Sequence, residues 1–155
     1  MLTALPVIMP LPDRDFDPTE AAVTWKVLHD AGYQVEFATP LGEVARGDAM
    51  MLSGEGLDPW GWVPVLKKVR LIGLLLRANS RGRAAYEEML LSTSFQNPLS
   101  YQDLIPEKFS AMILPGGHAS GIRPYLEDVI LQAFVADFFE NKNEHGYEKP
   151  VAAIC

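Results

Sequence analysis

The sequence is poor in cysteine, in histidine and in long apolar stretches, and each shortage excludes a class of protein. Cys155 is the single cysteine, so an internal disulfide framework is excluded and a reducing, cytoplasmic location is expected. The three histidines lie far apart and none has metal-ligand spacing, so we expect neither a bound metal nor a cofactor. The longest apolar stretch, residues 69–76, contains Arg70 and is too short to span a bilayer.

The charge balance and length narrow the class further. The formal net charge is −7, which argues against nucleic acid or anionic membranes as partners. The 155 residues, 48% of them hydrophobic, are enough for one domain with its own apolar core. We therefore expect a single domain over residues 1–155.

The first forty residues carry the pattern of a strand, a helix and a second strand. Residues 5–9 form a short apolar run ended by proline, and residues 33–38 alternate between apolar and polar side chains. Between them, Asp17 is a candidate N-cap, Pro18 suits the first helical position, and Glu20 stands where a capping box places its acidic residue. This order predicts a parallel βαβ unit.

The middle of the chain, residues 42–100, breaks this pattern. It predicts helices over residues 63–78 and 83–91 and a loop over residues 95–100, and we interpret the whole stretch as an insertion between core strands.

The core pattern returns after the insertion. Residues 111–114 predict a short strand that runs into a glycine turn, and residues 125–140 predict one amphipathic helix. Residues 151–154 are continuously apolar, which favours a strand at the centre of a parallel sheet.

Cys155 follows that last strand directly. A reactive residue at the carboxyl end of a strand is typical of a nucleophile elbow, where the nucleophile stands at the strand-to-helix turn. The alternative is that Cys155 is an inert, buried packing residue, since most single cysteines are.

Two further places on the predicted sheet edge carry candidate chemistry. Gly116 and Gly117, followed by His118, could turn backbone N–H groups into a cleft to bind an oxyanion, or could simply form a tight turn. Glu20 could share a proton with Cys155, or could serve only in the capping box. All of these residues are predicted at the carboxyl edge of the strands, where open α/β sheets bind ligands.

Three stretches in this order, DFDPTEAAVTWKVLHDAGYQVEFATPLG, AMILPGGHASGIRPYLED and KPVAAIC, resemble the ThiJ/PfpI family of the class I glutamine amidotransferase-like superfamily. The insertion and the PGGHASG turn resemble most the branch of heat-inducible chaperones and glutathione-independent glyoxalases. The resemblance implies a flavodoxin-like three-layer α/β sandwich with a parallel central sheet, here without its C-terminal part. It also implies a homodimer, or a second fragment or chain that completes the domain.

The resemblance assigns roles to the candidate residues. It implies Cys155 as the reactive thiol, Glu20 as its carboxylate partner and Gly117 N–H as an oxyanion donor, with Gly116 shaping the turn and His118 beside it. It implies a further catalytic histidine after the cysteine, a position that this sequence does not contain.

The functional hypothesis is a Cys-dependent enzyme that acts on small reactive carbonyl compounds, of the glyoxalase or deglycase type. The alternative is a stress chaperone or redox sensor that works through oxidation of Cys155 without turnover. A third interpretation is a binding-only fragment.

Overall fold

A five-stranded parallel sheet forms the centre of the computed structural model, which describes residues 5–54, 58, 64 and 78–154. In chain order the elements are β1 (Val7–Pro10), β2 (Arg14–Phe16), α1 (Pro18–Asp30), β3 (Val35–Thr39), β4 (Arg46–Gly47), α2 (Ala49–Ser53), α3 (Ser80–Leu90), α4 (Thr93–Gln96), β5 (Leu99–Ser100), β6 (Ala111–Leu114), α5 (Arg123–Glu127), α6 (Val129–Glu140) and β7 (Val151–Ala153). The strands of the main sheet lie in the order β5-β3-β1-β6-β7, and β2 pairs with β4 in a separate small sheet.

Strand β1 is the middle strand, and its register confirms the predicted βαβ start. Val7 lies opposite Val35 of β3 on one side and opposite Ala111 of β6 on the other, and both pairs are parallel. Helix α1 connects β1 to β3, as the order of patterns predicted.

Apolar layers cover both faces of the sheet. Val7 and Met9 of β1 point into a cluster that includes Trp25 of α1 and Met89 of α3. Ile8 points to the other face, into a cluster with aromatic and aliphatic side chains of α5 and α6. This alternation along one strand gives the three-layer α/β sandwich and confirms the expected fold class.

Helix α1 begins as the sequence predicted. The Asp17 carboxylate accepts hydrogen bonds from the backbone N–H groups of Thr19 (2.7 Å) and Glu20 (3.1 Å), and Pro18 occupies the first turn. These bonds satisfy two of the amide groups that a helix start leaves without intrahelical partners.

Two secondary-structure predictions were wrong. The stretch 95–100, predicted as a loop, contains the end of α4 and all of β5, which pairs with β3 at Ala38 and Thr39. The predicted helix 125–140 is two helices, because Asp128 adopts an extended conformation (φ −69°, ψ 113°) and caps the second one.

Strand β7 does not lie at the centre of the described sheet. It pairs with β6, and the opposite edge of β7 has no neighbouring strand among the described residues. Ala152 and Ala153 are exposed. The continuously apolar sequence therefore belongs to a strand that the described residues leave partly uncovered.

The described part of the predicted insertion contributes directly to the sandwich. Helix α3 packs against α1, and β5 extends the main sheet. Of the helix predicted over residues 63–78, only positions 64 and 78 are described, and the rest lies outside the described residues. The single-domain boundary of 1–155 stays a prediction. In the part of the chain that is described, no helix combines the length and the apolar character needed to cross a membrane.

Candidate active site

The candidate site lies at the carboxyl edge of the parallel sheet, where the chain leaves β1, β6 and β7. The segment after β1 leads into α1, the segment after β6 is the glycine turn, and Ile154 follows β7. Strand ends of a parallel sheet meet at one edge, so the topology brings these three segments together.

Glu20 and Gly116 are joined by a hydrogen bond across this edge. The backbone N–H of Gly116 donates to Oε2 of Glu20 at 2.8 Å. In the reverse direction, the backbone N–H of Asp17 donates to the Gly116 carbonyl at 2.9 Å. These two bonds tie the glycine turn to the start of α1.

The same bonds correct one interpretation of Glu20. In a capping box, the acidic side chain would accept the N–H of the N-cap residue, here Asp17. That N–H instead donates to the Gly116 carbonyl, and the Glu20 carboxylate reaches the turn after β6. Glu20 is half-buried and is therefore a bridging residue of the site, in addition to its place in the first helical turn.

Gly117 packs so closely against the segment after β1 that a side chain does not fit. A Cβ atom there would lie 2.6 Å from the Asp15 carbonyl oxygen and 2.9 Å from Cδ1 of Ile122. Asp15 itself has φ of +67°, a left-handed conformation that is uncommon for a residue with a side chain. Asp15 was not predicted as part of the site, because nothing in the local sequence signals its backbone conformation.

Gly117 also has a backbone N–H for which the described residues provide no hydrogen-bond acceptor. The N–H of Gly116, by contrast, is occupied by Glu20. Of the two glycines, Gly117 is therefore the one whose amide is open to bind another group.

His118 is exposed and stands next to two carboxylates. One ligand atom each of Asp17, Glu20 and His118 lies within 4.8 Å of the others. Asp17 was predicted only as a helix cap, and its buried carboxylate belongs to this group as well. Carboxylate and imidazole groups can hold a divalent cation, but Asp17 and Glu20 already accept backbone hydrogen bonds here. Proximity alone therefore carries no metal assignment.

Cys155 lies outside the described residues, and its predicted role is not tested by them. The residue before it is described: the N–H of Ile154 donates to the Leu114 carbonyl at 3.0 Å. This bond holds the end of β7 beside the last residue of β6, directly before the glycine turn.

A protein-family model described as ThiJ/PfpI family-like matches residues 11–155 of the chain. The chain belongs to this family. The match includes every candidate site residue and confirms the family resemblance, while the branch within the family stays a prediction.

Comparisons with individual proteins agree with this assignment. The chain is 27% identical over 130 residues to an uncharacterized protein of Schizosaccharomyces pombe. This match covers 83% of the chain and 43% of the relative. A crystal structure of a ThiJ/PfpI domain protein from Brachyspira murdochii matches with a TM-score of 0.57 and 15% identity, over 97% of the chain and 58% of that protein. A crystal structure of glyoxalase III from Candida albicans matches with a TM-score of 0.58 and 16% identity, over 97% of the chain and 56% of that protein.

The two structural matches show a shared fold. The three comparisons also show that the chain spans about half the length of the proteins it matches. Activity, substrates and partners of a whole family member are therefore matters of proposal for this chain.

Proposed function

We propose that this protein is a Cys-dependent enzyme that acts on small reactive carbonyl compounds, with Cys155 as the nucleophile. The observation that carries the proposal is the hydrogen bond between Glu20 and the Gly116 N–H at the carboxyl edge of the sheet. It gives the edge a fixed carboxylate and a fixed glycine turn next to the end of the strand that Cys155 follows. The glyoxalase III structure among the matches supports the same substrate class.

The first chemical step follows from these groups. The sulfur of Cys155 adds to the aldehyde carbon of a 2-oxoaldehyde such as methylglyoxal, forming a C–S bond while the carbonyl π electrons move to oxygen. The thiol proton passes to the Glu20 carboxylate, and the carbonyl oxygen becomes the alkoxide of a hemithioacetal, which takes the proton back from Glu20 to give the neutral hemithioacetal. Gly117 N–H, which has no acceptor among the described residues, binds the developing oxyanion. His118, exposed beside the carboxylates, contacts the substrate.

Consumption of methylglyoxal, followed by proton NMR, tests this proposal. Turnover should be lost in Cys155→Ser, which keeps the size of the side chain and replaces the thiol. Glu20→Gln should lower kcat at least tenfold, because the amide accepts a hydrogen bond but takes up no proton at neutral pH. Glu87→Gln, at an exposed position of α3, is the matched control and should leave turnover unchanged. Turnover that survives in Cys155→Ser contradicts the proposal.

The alternative function, a redox sensor, gives a different result in a second measurement. A peroxide titration followed by peptide mass spectrometry reports oxygen added to Cys155. Oxidation to the sulfinic acid at low peroxide, in a protein without turnover, favours the sensor. The carboxylate that supports the thiolate in the enzyme would then hold the oxidised acid by a hydrogen bond. The cytoplasmic location and the homodimer expected from the sequence accompany either function as proposals.

A further inference from the structure

A cavity opens at the amino edge of the main sheet, the edge opposite to the candidate active site. Its volume is about 510 Å³, within the range of small-molecule binding sites. It lies between the end of α1, the first residues of β3 and the start of α4. We call it the β3 cavity, and its lining includes Trp25, His29, Tyr33, Val35, Glu36 and Ser94. The described residues of the candidate active site do not line it, so it is a separate feature of the fold.

The first residue of β3 leaves a backbone donor and a backbone acceptor open at this cavity. The Gln34 carbonyl accepts the N–H of Val7, so the backbone of Gln34 faces β1. Backbone direction alternates along a strand, and the N–H and C=O groups of Val35 therefore point away from β1. On that side, β5 pairs with β3 only at Ala38 and Thr39. Within the described sheet, the N–H and C=O of Val35 therefore have no strand partner.

Aromatic side chains line the cavity near this open pair of backbone groups. The ring of His29 stacks on the ring of Trp25, with centroids 4.9 Å apart and planes inclined by 11°. Trp25 is buried, whereas His29 is exposed and Tyr33 is 54% exposed. Exposed histidine and tyrosine rings bind planar aromatic ligands by stacking. The cavity therefore favours a ligand with a flat aromatic ring.

The charge of the lining limits the ligand further. Glu36 is half-buried, and among the described residues its carboxylate has no hydrogen-bond or ion-pair partner. No lysine or arginine of the described chain lines the cavity. A carboxylate without a nearby cation repels a phosphate, but it accepts hydrogen bonds from hydroxyl and amino groups. The lining therefore suits a neutral ligand with hydrogen-bond donors.

The open backbone groups of Val35 match one edge of a particular ring. In a residue, the donor nitrogen and the acceptor oxygen are separated by two atoms, Cα and the carbonyl carbon. Adenine carries a donor at its N6 amino group and an acceptor at N7, which two ring carbons separate in the same way. Guanine presents two acceptors at that edge and does not match. Val35 and adenine can therefore exchange two hydrogen bonds, as paired residues of two strands do.

We propose that the β3 cavity binds an adenine nucleoside that carries no phosphate. The ring exchanges two hydrogen bonds with the backbone of Val35 and lies against His29 and Tyr33, and the ribose hydroxyls donate to Glu36. This inference does not depend on the proposed enzymatic function, and its test uses no activity.

Adenosine is the probe, titrated into the 155-residue chain by isothermal titration calorimetry. We expect a one-to-one complex with a Kd of about 100 µM or less, as for a well-seated ligand of this size. 7-Deazaadenosine, in which C–H replaces N7, and inosine, in which a carbonyl oxygen replaces the N6 amino group, should each bind at least fivefold more weakly. AMP should bind at least tenfold more weakly, because its phosphate meets a carboxylate and no cation.

Variants locate the contact on the cavity. Tyr33→Ala should weaken adenosine binding at least fivefold through the lost stacking. Tyr147→Ala is the matched control, since Tyr147 is 70% exposed and does not line the cavity, and it should bind as the unchanged chain does. Glu36→Gln keeps an acceptor and removes the charge, so it should reduce the ratio of the AMP Kd to the adenosine Kd at least threefold.

Hydrogen exchange follows the backbone contact directly. With saturating adenosine, the amide of Val35 should exchange at least tenfold more slowly than in the free chain, because its N–H is then bonded to N7. The amide of Val7, already bonded to the Gln34 carbonyl, should change less.

Three results would contradict the proposal. Absence of binding up to about 1 mM adenosine overturns it. Equal affinities for adenosine, 7-deazaadenosine and inosine overturn the match between the ring and Val35, and with it the proposal. A complex that Tyr33→Ala leaves unchanged, with no added protection of the Val35 amide, places the ligand elsewhere and overturns it as well.

Discussion

Oε2 of Glu20 accepts the backbone N–H of Gly116 at 2.8 Å, across 96 residues of sequence. One carboxylate thus belongs both to the first turn of α1 and to the turn after β6. The bond fixes the glycine turn relative to the helix start, and it leaves the neighbouring Gly117 amide as the open donor of the turn.

Removal of the Glu20 carboxylate should destabilise the protein as well as the turn. We expect Glu20→Ala to lower the free energy of unfolding by about 1–2 kcal/mol, because a hydrogen bond to a charged group is lost. Glu87→Ala, an exposed residue of α3, should change it by less than about 0.5 kcal/mol. Urea denaturation of both variants measures the difference. Equal free energies of unfolding for Glu20→Ala and Glu87→Ala would mean that the bond between Glu20 and Gly116 does not stabilise the turn.

Gly117 should tolerate no side chain. In Gly117→Ala the new Cβ would meet the Asp15 carbonyl oxygen at 2.6 Å, and we expect a loss of about 2–3 kcal/mol from the forced backbone shift. Gly32→Ala separates this effect from backbone strain, because Gly32 has φ of +85° and no atom within 4 Å of the added Cβ. The substitution Gly32→Ala should lower the free energy of unfolding by about 1 kcal/mol. Thermal denaturation compares the two, and a smaller loss at Gly117 than at Gly32 contradicts the steric argument.

The sequence predicted best what depends on neighbouring residues. The cap of α1 rests on Asp17 and Pro18, whose effect on the helix start is local, and the structure confirms it. The parallel order of strands followed from alternating patterns of strand and helix, and the sheet confirms that too. The family was identified from the order of three such local motifs.

The sequence predicted less well what depends on distant contacts. Glu20 satisfied a local rule, the capping box, and nothing nearby shows that its carboxylate turns to Gly116 instead. Asp15 has a positive φ where the segment after β1 packs closely against the turn after β6, a contact between residues far apart in the sequence. Asp128 is different: an N-cap residue inside an apolar periodic stretch is a local signal, and it could have divided the predicted helix.

Two buried tyrosines should differ in how the loss of the hydroxyl changes the free energy of unfolding. Tyr101 donates its hydroxyl hydrogen to the Leu11 carbonyl, so Tyr101→Phe leaves a buried acceptor unpaired and should cost about 1–2 kcal/mol. The Tyr125 hydroxyl has no partner among the described residues, so Tyr125→Phe should be neutral or slightly stabilising. Urea denaturation of the two variants tests the pair. A large loss in Tyr125→Phe would show that its hydroxyl has a partner in solution.

The same tyrosines should make the protein sensitive to alkaline pH. Burial, with a smaller contribution from the nearby Tyr125, raises the pKa of Tyr101 above the ordinary value, and burial alone raises the pKa of Tyr125. The unfolded chain therefore releases these protons first, near pH 10, and each tyrosine lowers the free energy of unfolding by about 1.4 kcal/mol per pH unit above that point. Below pH 10 the contribution is constant.

The variants Tyr101→Phe and Tyr125→Phe test this pH dependence. Between pH 10 and 11, the free energy of unfolding should decrease less steeply with pH in each variant than in the unchanged chain, whatever the stability of the variant at neutral pH. Tyr33→Phe, at a residue that is 54% exposed, is the control and should keep the slope. An unchanged slope in both buried variants would show that neither hydroxyl stays protonated by burial.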